Sequence, residues 1–228
     1  MDLDRLGPAL LLARRLRGAV GLFKVGSQLF TAEGPRAVEK LANLGPGVFL
    51  DLKFHDIPTT VGSAVAAAAD LPKVRMLTLH TLGDLAMMRA ARDAVAGKRR
   101  PPLLLGVTIL TSMESASLRR VGISGSPASR ALSLARLAKQ AQLDGVVASS
   151  HEAQAIRRAC GPDFLIVVPG VRPASASLND QARVATPSEA IQAGANYLVV
   201  GRPITQAASP RDAALAIAKE IASSRLRR

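Results

Sequence analysis

Residues 48–58 read VFLDLKFHDIP, an apolar run that gives way to Asp51, Lys53 and Asp56 and stops at Pro58. Because side chains alternate between the two faces of a strand, we expect Asp51 and Lys53 to project to the same side. Proline cannot donate to a strand ladder, so the chain must turn at Pro58. The stretch therefore predicts a buried strand that ends in a carboxylate beside an ammonium group, either as an ordinary ion pair or as a catalytic pair.

The same succession of apolar strand and amphipathic helix repeats along the chain. Strands are predicted at residues 20–25, 48–53, 74–80, 103–110, 145–149, 164–168 and 197–201. Helices are predicted at residues 8–16, 34–44, 59–69, 85–95, 129–142, 151–159, 187–193 and 210–223. This alternation predicts an α/β protein with a parallel sheet, and the helix count favours a single (β/α)8 TIM barrel over residues 1–228. An open doubly wound sheet is the alternative, but its glycine-rich first turn is absent.

The first strand of this barrel is the one that the pattern does not supply. Only residues 1–4 precede the first helix, and they are short and polar for a barrel strand. We therefore expect a barrel with a shortened first strand.

Most of the unusual polar residues lie at the ends of predicted strands or in the loops that follow them. They are Lys24, Asp51, Lys53, His80, Thr111, Arg172 and Arg202. In a (β/α)8 barrel the carboxyl ends of the strands meet at one rim, where the active site lies. Unrelated surface ion pairs would not all fall on that rim, so their positions favour a catalytic role for Asp51 and Lys53.

The loops after the last two predicted strands combine glycine with arginine, as Gly170 with Arg172 and Gly201 with Arg202. Glycine lets backbone amides approach an anion, and the guanidinium group offers forked donors that suit phosphate oxygens. Barrels often hold phosphate in these two loops. The sequence therefore predicts a phosphorylated small-molecule substrate.

Composition raises nucleic-acid binding as the main alternative, because a net charge of +13 attracts any polyanion. The basic residues are scattered in pairs, however, and only 3% of the residues are aromatic. Stacking side chains of the kind that single-strand binders use are therefore scarce. We expect no nucleic-acid partner, and the three histidines are too dispersed to predict a metal site.

The cellular compartment is indicated by what the sequence lacks. A single cysteine, Cys160, excludes an intramolecular disulfide and suits a reducing compartment. The amino terminus is acidic before it is apolar, which is unlike a signal peptide, and no unbroken apolar stretch reaches about 18 residues. We expect a cytoplasmic protein with no membrane partner.

A set of motifs spread over nearly the whole chain resembles the bacterial orotidine 5′-monophosphate decarboxylases. They are FKVG at 23–26, LFTAEGP at 29–35, FLDLKFHDIPTTV at 49–61, VTILTS at 107–112, LDGVV at 143–147, PGVRP at 169–173, NDQARV at 179–184 and VGRPIT at 200–205. The resemblance implies a (β/α)8 barrel of the ribulose-phosphate-binding type. It also implies a homodimer that converts orotidine 5′-monophosphate to uridine 5′-monophosphate, in pyrimidine biosynthesis, without a cofactor.

The resemblance further implies roles for individual residues. The charged catalytic tetrad corresponds to Lys24, Asp51, Lys53 and Asp56. The residues expected to reach into the partner subunit's site are Asp56, Ile57 and Thr60. The substrate and phosphate contacts correspond to Thr111, Arg172, Gln181, Gly201 and Arg202. The ribose-binding aspartate is expected at Asp2, with Asp4 as the alternative.

Three other functions are open at this point. The DxKxxD spacing at 51–56 also resembles metal-dependent barrels that decarboxylate keto-gulonate phosphate or condense formaldehyde with ribulose phosphate, but these lack the DQxR and GRPIT motifs found at 180–183 and 201–205. A basic nucleic-acid-binding protein is the second. A noncatalytic relative is the third, supported only by the missing first strand.

Overall fold

A computed structural model of the chain describes residues 1–45, 47–173 and 185–225. The strands are β1 Phe23–Gly26, β2 Val48–Phe54, β3 Val74–His80, β4 Leu103–Val107, β5 Gly145–Val147, β6 Leu165–Pro169 and β7 Tyr197–Val199. They form one sheet in which each strand pairs in parallel with the next along the chain, from β1 to β7. Parallel neighbours in sequence order, each followed by a helical connection, are the arrangement of a (β/α)8 barrel. The predicted fold class is confirmed.

Helices connect the strands and cover the outside of the sheet. They are α1 Leu6–Arg15, α2 Ser27–Glu33, α3 Pro35–Ala42, α4 Pro58–Ala69, α5 Asp84–Asp93, α6 Ser115–Arg120, α7 Pro127–Gln140, α8 Ser150–Cys160, α9 Pro187–Gln192, α10 Arg202–Thr205 and α11 Pro210–Arg225, with a 3₁₀ turn at Thr81–Gly83. Several begin with proline in the first turn, where its missing N–H costs nothing. Their Ala-, Leu- and Val-rich faces pack on the sheet to form the main core.

Side chains inside the barrel form a second, smaller cluster. It is centred on Phe49, Met76, Leu105 and Val167, one residue from each of four strands. Since residues two apart on a strand share a face, these positions identify which residues of β2, β3, β4 and β6 point into the barrel. On β2, Asp51 follows Phe49 on the same face and lies closer to the carboxyl rim.

The chain departs from a regular eight-stranded barrel at its beginning. Residues 1–5, all described, form no strand, and β1 and β7 are the two end strands of the described sheet. The amino group of Met1 donates a hydrogen bond to the carbonyl of Lys24 at 2.7 Å. This contact places Asp2 beside β1, at the position that the last residue of a first barrel strand would occupy.

Most strand boundaries differ from the sequence prediction by one to three residues, and the largest differences are in β1 and β4. β1 begins at Phe23 rather than residue 20, because Gly18 has a φ of 72° and the turn after α1 uses the intervening residues. β4 ends at Val107 rather than residue 110, because the chain turns where the N–H of Met113 bonds to the carbonyl of Leu110. The predicted helices also missed the short α2, α6 and α10, which are too brief to show an apolar period.

Candidate active site

Four charged side chains meet where β1 and β2 end. The Nζ atom of Lys53 lies 2.9 Å from Oδ1 of Asp51, and Nζ of Lys24 lies 3.2 Å from its Oδ2. On the other side, Nζ of Lys24 lies 3.3 Å from Oδ1 of Asp2. The result is an alternating row, Asp2, Lys24, Asp51, Lys53, in which each inner group contacts two opposite charges.

The carboxylate of Asp51 is the most enclosed member of this row, with only 8% of the residue exposed. Burial acts to raise its pKa, but the ammonium groups of Lys24 and Lys53 and the hydrogen bonds from Lys53 and Thr78 outweigh burial. The net effect holds the pKa of Asp51 below its ordinary value. Asp51 is therefore a carboxylate at neutral pH, with both oxygens facing cations.

Lys53 lies in an irregular stretch of β2. Leu50 pairs with Leu77 of β3, yet Phe54 pairs with Leu79, so β2 takes four residues where β3 takes two. Within this bulge Lys53 has a φ of 53°, in the left-handed region that favours glycine. Bulges of this kind re-aim side chains beside active sites. Simple strand alternation correctly predicted that the side chains of Asp51 and Lys53 would lie together. The backbone conformation that brings Lys53 to Asp51, however, is set by the bulge.

The row lies on the wall of a cavity of about 1150 Å³ inside the barrel. The predicted substrate contacts on the same cavity are Thr111, Arg172, Gly201 and Arg202, together with Asp2. Asp4 is not among the described residues that line it. A cavity of this size, with cations, carboxylates and many apolar side chains, suits a small charged ligand that also has an apolar part.

The two arginines reach the cavity in different ways. Arg172 is buried, with 6% of the residue exposed, and its backbone N–H donates to the carbonyl of Ala185 at 3.0 Å. An isolated parallel bridge between Val171 and Ala185 supports the same segment. Arg202 is exposed and begins α10 directly after Gly201. Arg172 is thus a buried residue of the cavity wall whose backbone is held by Ala185, whereas Arg202 is an exposed lining residue.

The structure does not bring every predicted residue to the cavity. Asp56, Ile57 and Thr60 are exposed between β2 and the first turn of α4, and among the described residues they are not part of its lining. Oδ1 of Asp56 accepts a hydrogen bond from the N–H of Ile57 at 2.6 Å. Ile57 is 64% exposed, which is high for an isoleucine. Gln181 lies outside the described residues.

Histidines were set aside as metal ligands on sequence grounds. His80, at the end of β3, has its ring centroid 5.3 Å from that of His55, and burial lowers the pKa of His80. In the part of the chain that the structure describes, no group of three or more His, Cys, Asp or Glu is placed to hold a metal ion. No described helix is both long and apolar enough to cross a membrane.

One residue at the site was missed by sequence reasoning. Thr78 of β3 is fully buried, and its hydroxyl contacts both the Asp51 carboxylate and the backbone N–H of Lys53, each at 2.9 Å. A threonine within a buried strand reads as ordinary β-branched packing. The available signal was its position two residues before the end of a strand beside the Asp51 strand.

Comparison with known proteins shows which family the chain resembles over nearly its full length. The model of the orotidine 5′-phosphate decarboxylase / HUMPS family matches residues 1–217. An orotidine 5′-phosphate decarboxylase of Nitrosococcus oceani is 52% identical over 223 residues, covering 98% of this chain and 96% of the relative. The enzyme of the same name from Syntrophotalea carbinolica is 55% identical over 216 residues, covering 92% of this chain and 88% of the relative.

A solved structure shows the same architecture. The crystal structure of orotidine 5′-phosphate decarboxylase from Lactobacillus acidophilus has a TM-score of 0.84 and 37% sequence identity, and the match covers 97% of this chain and 96% of that one. The family match over residues 1–217 and identity at this level over almost the full length lead to one conclusion. The chain belongs to the orotidine 5′-phosphate decarboxylase / HUMPS family.

Proposed function

We propose that the chain decarboxylates orotidine 5′-monophosphate to uridine 5′-monophosphate and CO₂, the last step of de novo UMP synthesis. The observation that carries the proposal is the Asp2–Lys24–Asp51–Lys53 row on the wall of a cavity that also holds Arg172 and Arg202. The row supplies charges for the reacting carbon, and the arginines supply donors for a phosphate. The close relatives carry the name of this enzyme over nearly the whole chain.

Lys53 is the group that acts on the reacting carbon. Loss of CO₂ leaves an electron pair in the plane of the pyrimidine ring, where no carbonyl group delocalises it. An ammonium group held beside that carbon stabilises the developing negative charge and then donates a proton to it. The contact with Asp51, at 2.9 Å, holds the Lys53 ammonium group at the cavity wall where both tasks are carried out.

Asp51 contributes through repulsion that is relieved during the reaction. Its pKa is lowered, so a second carboxylate, that of the substrate, would be bound beside a full negative charge. That charge leaves with CO₂, so the repulsion is greater in the bound substrate than in the transition state. Lys24 bonds to the other oxygen of Asp51 and keeps it in place.

The remaining predicted contacts bind the parts of the nucleotide that do not react. Arg172, Gly201 and Arg202 hold the phosphate, with Gln181 from the segment between them, and Thr111 contacts the substrate at the rim. The ribose hydroxyls are assigned to Asp2 rather than Asp4, because Asp2 lies on the cavity beside Lys24. Binding energy from these remote groups can be used to orient the reacting ring.

The proposal also covers assembly and location. The working unit is a homodimer in which Asp56, Ile57 and Thr60 complete the partner's site, and Asp56 joins the charged row from across the interface. The exposure of all three residues in the single chain is what such an arrangement needs. The reaction uses no cofactor, since Lys53 serves as both charge stabiliser and acid, and it takes place in the cytoplasm.

The direct test is the fall in ultraviolet absorbance of orotidine 5′-monophosphate when purified protein is added, with and without a chelator. We expect turnover that the chelator does not change. Lys53→Ala, purified in the same way, controls for contaminating host enzyme. Turnover that disappears with chelator would instead favour a metal-dependent sugar-phosphate lyase of the same superfamily, and absence of turnover in both conditions would contradict the proposal.

A further inference from the structure

Thr78 occupies a position in the barrel from which it cannot touch a substrate. It is fully buried, and among the described residues it is not part of the cavity lining. It shares a strand face with Met76, two residues earlier, whose side chain belongs to the cluster inside the barrel. Any effect of Thr78 on the reaction must therefore pass through the residues that it contacts.

The hydroxyl of Thr78 makes two hydrogen bonds, and both lead to the charged row. It donates to Oδ1 of Asp51 at 2.9 Å, the same oxygen that accepts from Nζ of Lys53. It accepts from the backbone N–H of Lys53, also at 2.9 Å. The Thr78 hydroxyl therefore holds both the side-chain carboxylate of Asp51 and the backbone N–H of Lys53.

The second of these bonds replaces one that the sheet cannot make. In a regular parallel pair the N–H of a strand residue bonds to a carbonyl of its neighbour. The register between β2 and β3 shifts between Leu50 and Phe54, and Lys53 lies inside the shift with a φ of 53°. Its N–H finds its acceptor in the Thr78 side chain, because a buried donor without a partner would destabilise the bulge.

We propose that Thr78 is a positioning residue for the decarboxylation, holding the β2 bulge so that the Lys53 ammonium lies against Asp51 and faces the reacting carbon. This inference rests on the proposed function for its kinetic consequences. The structural part of the proposal is that the Thr78 hydroxyl maintains the left-handed backbone at Lys53. This part does not depend on which reaction the protein catalyses.

The kinetic test is Thr78→Val, which keeps the branched shape and removes both hydrogen bonds. We expect kcat to fall by about 10- to 100-fold, as for loss of a hydrogen bond to a charged group, while KM changes by less than about threefold. Thr78→Ser restores the hydroxyl and should recover most of kcat. If the valine variant does not fold, Thr78→Ala removes the same two bonds from a smaller side chain and takes its place.

The matched control is Thr81→Val. Thr81 is equally buried, and its hydroxyl donates to the carbonyl of Val107 at 2.8 Å, without contact to the charged row. It should lose stability to a similar degree and keep kcat. An equal loss of kcat in Thr81→Val, or no loss in Thr78→Val, would overturn the proposal.

A crystal structure of the valine variant separates this proposal from the proposed function. We expect Lys53 to leave the left-handed region and its Nζ to move away from Asp51. An unchanged Lys53 in that structure would overturn the positioning role, whatever the enzyme's substrate. Absence of decarboxylation in the unaltered chain would contradict the proposed function alone.

Discussion

Lys53 combines two features at the residue scale that point to function rather than to folding. Its backbone lies in a region that costs a residue with a side chain about 1–3 kcal/mol, with a φ of 53°. Its ammonium group lies 2.9 Å from a buried carboxylate at a cavity wall. Strain of this kind persists where the surrounding structure holds it and the resulting geometry is used.

We predict that Lys53→Ala lowers kcat by about 10³-fold or more, because one change removes both the charge stabiliser and the general acid. Binding of uridine 5′-monophosphate, measured by calorimetry, should persist because the residues proposed to contact its phosphate and ribose are unchanged. Lys73→Ala is a matched control, since Lys73 also has a φ of 53° but is exposed before β3, with its Nζ near the carbonyl of Gly45. Near-normal turnover in Lys53→Ala would exclude the mechanism.

Sequence reasoning correctly placed residues whose position follows from charge and strand pattern. Asp51 and Lys53 were paired by strand alternation, and the loop glycines and arginines by their place after the last strands. Thr78 could not be found in this way, because its role depends on a bulge that nothing in the residue types indicates. Asp2 was proposed as a site residue only from resemblance, since no strand pattern precedes it, and its contact with Lys24 was not predicted.

Arg157 of α8 shows how elements at the opposite end of the barrel are held together. Its guanidinium group donates to the carbonyls of Gly161 and Phe164, each at 2.7 Å, and to that of Gly194 at 2.9 Å. These acceptors belong to the turn before β6 and the turn before β7. One side chain therefore ties the end of α8 to the starts of two strands.

We predict that Arg157→Met lowers the free energy of unfolding by about 2–4 kcal/mol, because several part-buried carbonyls lose their donor at once. Arg158→Met is the control from the same helix: Arg158 is exposed, and its loss should change stability by less than about 0.5 kcal/mol. Urea denaturation of both variants measures the difference. Equal midpoints for the two variants would show that the hydrogen bonds of Arg157 are not stabilising.

At the scale of the whole molecule, the barrel was predictable because alternation of strands and helices leaves few topologies. The mode of assembly could not be predicted in this way, because it depends on surface residues that show no periodic sequence pattern. The segment Asp56–Thr60 illustrates this: it directly follows β2, yet Asp56, Ile57 and Thr60 are exposed and, among the described residues, do not line the cavity. If Asp56 acts in the partner's site, two inactive chains should restore activity when combined.

We therefore predict complementation between Lys53→Ala and Asp56→Ala. In a hybrid dimer, one site combines Lys53 of the Asp56→Ala chain with Asp56 of the other chain, and the second site lacks both groups. With different tags on the two chains and purification through both, the hybrid should show about half of the unaltered turnover, because one of two equivalent sites is intact.

The control pairs Lys53→Ala with Lys24→Ala. Under the proposed function both residues act within their own chain, so that hybrid should remain inactive. An inactive Lys53→Ala and Asp56→Ala hybrid would place Asp56 in its own subunit's site, and failure to recover any hybrid would argue against the dimer itself.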